Sequence, residues 1–295
     1  MSRPRRIISR LGVVGLLALA ALAGRPVGAQ TSLHLVLTPS QKPTDLMVAG
    51  EAFGAALGKL VGVPIRVTVA SDYAAVVEAL RNQTADLAFV HPAGYVLANR
   101  EAKAMIVAKD QWHGNTSYTS RIYVRKDSGI TTLEGLRGKT IAFVDPSSTS
   151  GYVYPMVMLI QRGLVQNRDP KTFFKEFVYS GSHDAGLLAL LNGHVDALAS
   201  FDQAREQYLK DPADREKIIV VAETAPIPEG GICARDGLSP ALVAKVRTAL
   251  LSMQGPTYAP LLKALYDIDG FEAAEDGEYQ PVRAAMDLLG WRPKR

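Results

Sequence analysis

The chain has 295 residues, with 33 Lys and Arg against 29 Asp and Glu, and a single cysteine, Cys233. One cysteine excludes an intrachain disulfide and a cysteine-rich metal site. The first 29 residues hold five arginines and no acid, leaving 28 basic and 29 acidic residues. A net charge of −1 for the remainder gives no support for a nucleic-acid partner.

Residues 1–29 have the pattern of a secretory signal peptide. A basic segment with Arg5 and Arg6 precedes the apolar run 11–23, which is too short to cross a bilayer. Small residues at 27–29 then form a cleavage site. We therefore expect cleavage near Ala29, export by the general secretory route, and a soluble mature protein in the periplasm.

From Leu33 onward, strand-like and helix-like runs alternate. The first half is predicted to contain strands at 33–37, 65–69, 86–90 and 104–108, with helices at 45–60, 73–82 and 94–100. The pattern restarts near Tyr118, with strands at 120–125, 140–144, 173–179, 195–200 and 218–222 and helices at 132–137, 154–162 and 185–192. Helices are then expected over most of 240–290. The alternation is typical of an α/β protein with mainly parallel sheets flanked by helices, in which ligands bind beyond the carboxyl ends of strands.

Two short segments, 116–121 and 221–226, lie where the second α/β unit begins and ends. They predict a chain that crosses twice between two lobes. Lobe I is expected to comprise residues 30–118 plus 224–295, and lobe II residues 119–223. Two crossings predict a hinged pair with a ligand cleft between the lobes.

A hydroxyl-rich turn, residues 145–152, connects the strand at 140–144 to the following helix. Helix starts leave backbone N–H groups unpaired at the positive end of the helix dipole. Together with the hydroxyls of Ser148, Thr149 and Ser150, these groups would form a socket for a small oxyanion. An ordinary Ser/Thr N-cap explains the same residues, so both interpretations stand at this point.

A weak internal similarity relates the two units. Residues 73–88 and 183–199 each begin with a polar residue, which is followed by an apolar-faced helix, a tight turn and a strand. Similar units in each lobe would put Tyr73 and His183 at equivalent helix starts that face one cleft.

Several motifs, in their order and spacing, resemble those of the periplasmic phosphate-, phosphite- and phosphonate-binding proteins that serve ABC importers. The likeness runs from about residue 33 to 235. The matching motifs are Ser71-Asp72-Tyr73, Asp86-Leu87-Ala88-Phe89, Tyr118, Leu133-Glu134-Gly135-Leu136, Asp145-Pro146-Ser147-Ser148-Thr149-Ser150-Gly151 and Gly181-Ser182-His183-Asp184.

This resemblance implies a two-lobed periplasmic binding protein of type II topology. In the family the oxyanion rests on the Ser-Thr-Ser-Gly turn, and tyrosine and histidine donors complete the site. The resemblance therefore assigns the ligand to Tyr73, Tyr118, Ser148, Thr149, Ser150 and His183.

Two departures from the family pattern concern the choice of ligand. The family often has a Pro-x-Asp-Pro turn whose aspartate meets the ligand's protonated oxygen or amino end, whereas this chain has Pro228-Glu229-Gly230-Gly231. Glu229 and Asp202 are the candidates to replace that aspartate. His91 stands where the family usually has a small residue before the proline, and it could be an extra donor.

The resulting prediction is an exported protein that captures a small phosphorus oxyanion and delivers it to an inner-membrane ABC permease. No cofactor, metal or nucleic acid is expected, and the sequence gives no indication of oligomeric state. Two alternatives remain: a periplasmic sensor of an oxyanion such as arsenite, working with a membrane histidine kinase, and a secreted hydrolase using Ser150, His183 and Asp202. The hydrolase is the weaker, because no Gly-x-Ser-x-Gly elbow is present.

Overall fold

The structure is a computed structural model that describes residues 32–112, 114–115 and 117–291. The predicted signal peptide lies outside the described residues. Within them, no helix is long and apolar enough to cross a membrane.

Strands and helices alternate along the described chain, as the sequence predicts. The strands are β1 (Leu33–Leu37), β2 (Ile65–Val69), β3 (Leu87–Val90), β4 (Met105–Gln111), β5 (Ser117–Tyr118), β6 (Ser120–Arg125), β7 (Thr140–Phe143), β8 (Glu176–Tyr179), β9 (Ala197–Phe201), β10 (Ile218–Glu223), β11 (Ile227–Pro228), β12 (Gly231–Ala234) and β13 (Gly270–Glu272). The α-helices are α1 (Pro43–Val61), α2 (Tyr73–Arg81), α3 (Pro92–Ala102), α4 (Tyr154–Gln161), α5 (His183–Leu191), α6 (Ala204–Tyr208), α7 (Pro212–Glu216), α8 (Pro240–Ser252), α9 (Ala259–Tyr266) and α10 (Gln280–Leu288).

The strands form two larger sheets and one short ribbon. The first sheet has the order β13-β4-β12-β3-β1-β2 and the second the order β10-β6-β9-β7-β8. Strands within each β-α-β unit pair in parallel, as β1 does with β2 and β3, and β7 with β8 and β9. Antiparallel pairs form at three strands: β6, the first strand of the second sheet in the chain, β10, its last, and β12, with which the chain returns to the first sheet.

The two segments that connect the sheets pair with each other. β5 precedes the second sheet in the chain and β11 follows it. Together they form a two-stranded antiparallel ribbon in which Tyr118 lies opposite Ile227. Next to it, the Thr224 N–H donates to the Ser120 carbonyl at 2.9 Å. We define β5 and β11 as the hinge ribbon. β5 lies within the predicted crossing 116–121, and β11 directly follows the predicted crossing 221–226.

Helices cover both faces of each sheet, because apolar side chains alternate between the faces of the strands. On the first sheet, Phe53 of α1 and Leu262 of α9 belong to one buried cluster, and Val76 of α2 and Val282 of α10 to another. On the second sheet, α4 and α5 fill opposite faces. This layered packing holds the carboxyl ends of the strands in fixed positions.

The C-terminal region differs in part from the prediction. Helices do occupy most of 240–290, but Gly270–Glu272 is a strand that pairs with the end of β4. Its central residue, Phe271, is fully buried against Phe53 and Phe89. Three residues are too few for an alternating pattern to reveal a strand, so the prediction missed β13. The helix expected at 132–137 is likewise only a 3-10 turn at Glu134–Leu136.

Candidate functional site

The hydroxyl-rich turn forms a tight, buried structure at the carboxyl end of β7. The Ser148 hydroxyl accepts the Gly151 N–H at 3.1 Å, and Thr149–Val153 form a π-helical turn that continues into α4. A Cβ atom at Gly151 would lie 2.5 Å from the Cβ of Val144. Only glycine therefore fits at this position, and the hydroxyls of the turn are held at the start of a helix.

Residues 148–150 lie at the junction between the two sheets. Their exposure is between 1% and 4%. Across the junction, the Ala93 N–H at the start of α3 donates to Thr149 Oγ1 at 2.9 Å. The His183 N–H at the start of α5 donates to the Ser40 carbonyl at 3.1 Å. These bonds hold the ends of the two sheets against each other.

A cavity of about 70 Å³ lies between the sheets at this junction. It is lined by side chains from both, and none of the described residues that line it is Lys or Arg. Seven of the nine residues predicted for the site line it: His91, Tyr118, Ser148, Thr149, Ser150, His183 and Glu229. Tyr73 and Asp202 do not.

Both histidines of the cavity are neutral at pH 7. Burial lowers the pKa of His91 to about 4. Burial, and then repulsion from the protonated form of His91, lower the pKa of His183 to about 3. His183 Nδ1 is 2.7 Å from the hydroxyl of Ser200. His91 Nε2 has no hydrogen-bond partner among the described residues. The cavity thus contains two neutral imidazoles, one held in place by a second-sheet hydroxyl.

Each of the two predicted tyrosines is influenced by a hydroxyl of the turn, Tyr73 by Ser148 and Tyr118 by Ser150. Burial, and then the charge of Glu229, raise the pKa of Tyr118 well above its usual value, and Ser150 opposes this shift. Tyr118 is therefore close to both the turn and Glu229. Tyr73, the first residue of α2, is 4% exposed, and its ring centre is 6.0 Å from that of His91. Burial, and then the charge of Asp145, raise the pKa of Tyr73 well above its usual value, and Ser148 opposes this shift. Tyr73 is therefore close to the turn, although it does not line the cavity, and its hydroxyl has no hydrogen-bond partner among the described residues.

Buried carboxyl groups are the least expected feature of the cavity. Glu229 is 6% exposed and Asp110 is 8% exposed, and both line the cavity. Glu229 Oε1 and Asp110 Oδ1 have no hydrogen-bond partner among the described residues. Burial raises the pKa of Asp110 to about 7. Burial, and then the charge of Asp110, raise the pKa of Glu229 well above its usual value.

Asp202 contributes to the site's surroundings through its backbone. Its carbonyl accepts hydrogen bonds from Arg121 Nη1 and from the Tyr123 hydroxyl, both at 2.7 Å. Its carboxylate is outside the cavity lining, although its charge raises the pKa of Glu229. In the part of the chain that the structure describes, no group of three His, Cys, Asp or Glu residues could hold a metal ion.

Sequence reasoning missed Asp110 and the aromatic wall of the cavity, formed by Trp112, Phe201, Tyr208 and Tyr266. Asp110 lies in β4, which continues to Gln111 instead of ending at residue 108. A polar residue just beyond an apolar strand of the first lobe was the available signal, since ligands meet α/β sheets at strand carboxyl ends. The aromatic residues carried no such signal.

The two glycines of the turn before β12, Gly230 and Gly231, are required by close backbone contacts. A Cβ at Gly230 would lie 2.3 Å from the Val90 carbonyl oxygen. A Cβ at Gly231, whose φ is +151°, would lie 2.1 Å from the Ala108 carbonyl oxygen. No side chain fits at either position. The Asp110 N–H donates to the Gly230 carbonyl at 3.2 Å, so this contact brings Asp110 beside the turn.

Comparison with known proteins gives consistent matches. A model of the family described as "ABC transporter, phosphonate, periplasmic substrate-binding protein" matches residues 35–279. The phosphate-import protein PhnD of Mycolicibacterium smegmatis is 31% identical over 230 residues, which cover 75% of this chain and 71% of the relative. The phosphonates-binding periplasmic protein of Escherichia coli is 26% identical over 293 residues, covering 94% and 83%.

Solved structures share the fold. The binding-protein component of an ABC phosphonate transporter from Pseudomonas aeruginosa superimposes with a TM-score of 0.80 and 24% identity, covering 89% of this chain and 87% of that one. PhnD1 of Prochlorococcus marinus, solved with methylphosphonate, gives a TM-score of 0.79 and 21% identity, covering 88% and 98%. These similarities confirm the predicted two-lobed, type II architecture.

The matches also decide between the predicted functions. The family is the substrate-binding component of an importer and not an enzyme. The hydrolase alternative also lacks its geometry, because His183 Nδ1 bonds to Ser200 and not to the Asp202 carboxylate. The sensor alternative gains no support from these relatives. The prediction of a periplasmic protein that serves a membrane permease is confirmed: the chain belongs to the family of periplasmic substrate-binding proteins of ABC phosphonate transporters.

Proposed function

We propose that the cavity between the two sheets captures a single small phosphorus oxyanion, a phosphonate, phosphite or phosphate, for delivery to the permease. The observation that carries the proposal is the buried turn at 148–150, which presents three hydroxyls at a helix start to the cavity between the sheets. One water molecule needs about 10–15 Å³ of such a 70 Å³ cavity. A ligand the size of a few waters fits, and a nucleotide or peptide does not.

Helix starts take the place of cationic side chains in this cavity. The hydroxyl-rich turn leads into α4, His91 precedes α3 and His183 begins α5. Each start leaves N–H groups without intrahelical acceptors and carries the positive end of a helix dipole. Their convergence supports binding of an anion without Lys or Arg.

The side-chain donors complete this arrangement. The hydroxyls of Ser148, Thr149, Ser150 and Tyr118 would donate to the phosphoryl oxygens, since hydrogen bonds to ionised oxygens are strong in a water-poor site. A Ser200 hydroxyl that donates to Nδ1 of His183 leaves the ring proton on Nε2, which can then donate to the ligand. Tyr73 would act from behind the wall, and His91 as an additional donor.

The remaining sequence predictions complete the proposal. Residues 1–29 are removed near Ala29 on export, lobe I comprises residues 30–118 and 224–295, and lobe II comprises residues 119–223. The lobes close about the hinge ribbon when the ligand is bound, and the permease recognises the closed form. The bonds from Ala93 to Thr149 and from His183 to Ser40 belong to the closed form, because each joins the two sheets.

Calorimetric titration of the mature chain, residues 30–295, tests the proposal. The protein is unfolded, dialysed and refolded to remove bound ligand, and is then titrated with phosphate, phosphite, methylphosphonate and 2-aminoethylphosphonate. We expect saturable one-to-one binding of at least one of these ligands. Absence of binding to all four, in protein shown to be folded and ligand-free, would contradict the proposal.

Ser150→Ala provides the matched variant. It should weaken binding of the best ligand by roughly 10- to 100-fold, because one hydrogen bond to a charged group is lost. Ser239→Ala is the control, since Ser239 is exposed and its side chain makes no cap hydrogen bond to α8. Equal affinities of the two variants would exclude the hydroxyl-rich turn as the anion socket.

A further inference from the structure

The cavity adjoins a second, larger space, which we call the outer groove. The groove has a volume of about 490 Å³ and is lined by residues of α1 and α9, beside the first sheet, and of α5 and α6, beside the second. Exposed side chains, among them Lys42, Leu188 and Lys210, belong to its lining. None of the described residues that line the cavity is exposed. The outer groove is therefore open to solvent, and the cavity lies inside it.

Gln207 and Tyr208, at the end of α6, separate the two spaces. Both residues line the cavity and also line the outer groove. At 40–41, 183–184 and 266–267, one residue lines the cavity and the next residue lines the groove. The walls of the cavity thus continue into the groove, and the side chains of Gln207 and Tyr208 lie at the boundary.

The ring of Tyr208 lies in the gap between the two sheets at this boundary. On the side of the second sheet it packs edge-on against Phe201, with 5.9 Å between the ring centres. Burial raises the pKa of Tyr208 above its usual value, and the charges of Asp184, in the first turn of α5, and of Asp267, at the end of α9, add to this shift. These two acids belong to opposite sides of the gap. Tyr208 therefore reaches from α6 across the gap toward α9.

The backbone that carries Tyr208 is held in place by other residues. Arg205 Nη1 donates to the Ile218 carbonyl at 2.7 Å, which ties α6 to β10. Ala204 is fully buried, and Leu209 is 4% exposed. Shortening the Tyr208 side chain should therefore open a passage between the cavity and the outer groove, because α6 is not free to move into the space.

The volume of the cavity limits the substituent that a ligand can carry. At about 10–15 Å³ for each water-sized group, 70 Å³ holds about five to seven such groups. The phosphorus and oxygen atoms of the ligand take about four of these, which leaves room for about one to three further non-hydrogen atoms. A longer substituent has to extend into the outer groove, past the boundary at which the Tyr208 ring lies.

We propose that Tyr208 is a specificity-determining residue, which restricts this protein to phosphorus oxyanions whose substituent has at most about three non-hydrogen atoms. This inference rests on the proposed capture of a phosphorus oxyanion by the same cavity. A longer alkylphosphonate has to displace the Tyr208 ring or keep the lobes apart, and either change weakens binding.

A long ligand tests the restriction. The refolded mature chain and Tyr208→Ala are each titrated with hexylphosphonate and with the best of the four ligands named under the proposed function. The measured quantity is the ratio of the two dissociation constants. In the parent, hexylphosphonate should bind roughly 10- to 100-fold more weakly than the best ligand, the cost of forcing extra methylenes into a packed site. In Tyr208→Ala the hexyl chain enters the outer groove, and the ratio should fall at least about tenfold.

Matched variants separate the ring from other effects. Tyr208→Phe keeps the ring and should keep the parent ratio within about threefold. Tyr179→Ala makes the same truncation at an exposed tyrosine, at the end of β8 and outside the cavity lining, and should also keep the parent ratio. Tyr208→Leu shortens the side chain less than alanine does and should lower the ratio at least about threefold. Circular dichroism and thermal unfolding establish that each variant is folded, and Tyr208→Leu decides if Tyr208→Ala does not fold.

The ratio distinguishes a size limit from a structural role of the tyrosine. A variant whose site is merely loosened binds both ligands more weakly and keeps the parent ratio, which overturns the assignment to Tyr208. A parent that binds hexylphosphonate as tightly as its best ligand overturns the size limit. Loss of the limit in Tyr208→Phe would mean that the hydroxyl and not the ring restricts the ligand, which also overturns the proposal. These three outcomes leave oxyanion capture intact, whereas failure of the parent to bind any of the four shorter ligands overturns oxyanion capture itself.

Discussion

Replacing Thr149 by valine would remove a hydroxyl that accepts the Ala93 N–H and that we propose donates to the ligand. The side chain keeps its volume and branching, so packing around this residue, which is 1% exposed, is preserved. Valine, however, has no oxygen to accept the Ala93 N–H and no hydroxyl proton to donate to the proposed ligand. Ala93 lies in the first turn of α3, where no intrahelical acceptor can replace the lost one.

The expected loss follows from these two bonds. A buried N–H left without an acceptor costs about 1–3 kcal/mol, and a lost hydrogen bond to a charged ligand costs about 1.5–3 kcal/mol. Both costs fall on the closed, liganded state, so they add to roughly 3–6 kcal/mol. Thr149→Val should therefore raise Kd for the best phosphonate by roughly two to four orders of magnitude.

Calorimetry of parent, Thr149→Val and Thr149→Ser measures this effect. Serine keeps the oxygen and its proton, so its Kd should stay within about tenfold of the parent. Because the Ala93–Thr149 bond joins the two sheets in the closed form, thermal unfolding of the ligand-free, open protein should show a loss for the valine variant well below the about 1–3 kcal/mol that an unpaired buried N–H costs. A valine variant that binds within threefold of the parent would refute the dual role of this hydroxyl.

Three further changes test the surroundings of the cavity. Asp110→Asn removes a carboxyl group whose pKa burial raises to about 7. Between about pH 4 and 7 the folded parent keeps the proton of this carboxyl, whereas the unfolded chain loses it. The parent therefore loses stability as the pH rises through this window. The variant should gain stability relative to the parent by roughly 1 kcal/mol per pH unit across that window in denaturant unfolding, and a pH-independent difference would contradict the burial of a protonated acid. Gly230→Ala would place a Cβ 2.3 Å from a backbone oxygen and should lower the free energy of unfolding by roughly 2–4 kcal/mol. Gly277→Ala has open space around its Cβ and should change this free energy by less than about 0.5 kcal/mol. Similar losses for both variants would be evidence against the close contact at Gly230. Tyr154→Phe removes a buried hydroxyl that has no partner among the described residues and should leave the stability unchanged or higher. Tyr279→Phe loses a 3.1 Å hydrogen bond to the Glu229 carbonyl and should cost about 1–2 kcal/mol in thermal unfolding. A larger loss of stability for Tyr154→Phe than for Tyr279→Phe would be inconsistent with these contacts.

The features that the sequence predicts well are those whose causes are local. Tyr73 and His183 each begin a helix because Asp72 and Ser182 cap it, accepting the N–H groups of the third residue along. The hydroxyl-rich turn has its shape because of glycine at position 151 and the Ser148 cap. Spacing of capping and apolar residues was enough to place these elements.

The acidic end of the cavity depends on contacts between distant parts of the chain. β4 reaches Asp110 because Phe271 of β13 pairs with that residue, far along the sequence. The glycines at 230 and 231 are fixed by carbonyl groups of β3 and β4. Neither contact leaves a periodic pattern near residue 110, so the sequence predicts Glu229 as a candidate and gives no sign of its partner acid.

The hinge ribbon has a consequence for the kinetics of ligand exchange. Because β5 and β11 run in opposite directions and share hydrogen bonds, sliding of one passage past the other would break their register, whereas bending and twisting would not. The available motion is thus close to a single rotation. Tyr118 belongs to the ribbon and also lines the cavity. If the lobes open about this ribbon as proposed, we expect the same rotation to admit solvent and to withdraw the Tyr118 hydroxyl from the ligand. Ligand dissociation is then expected to follow a single exponential phase.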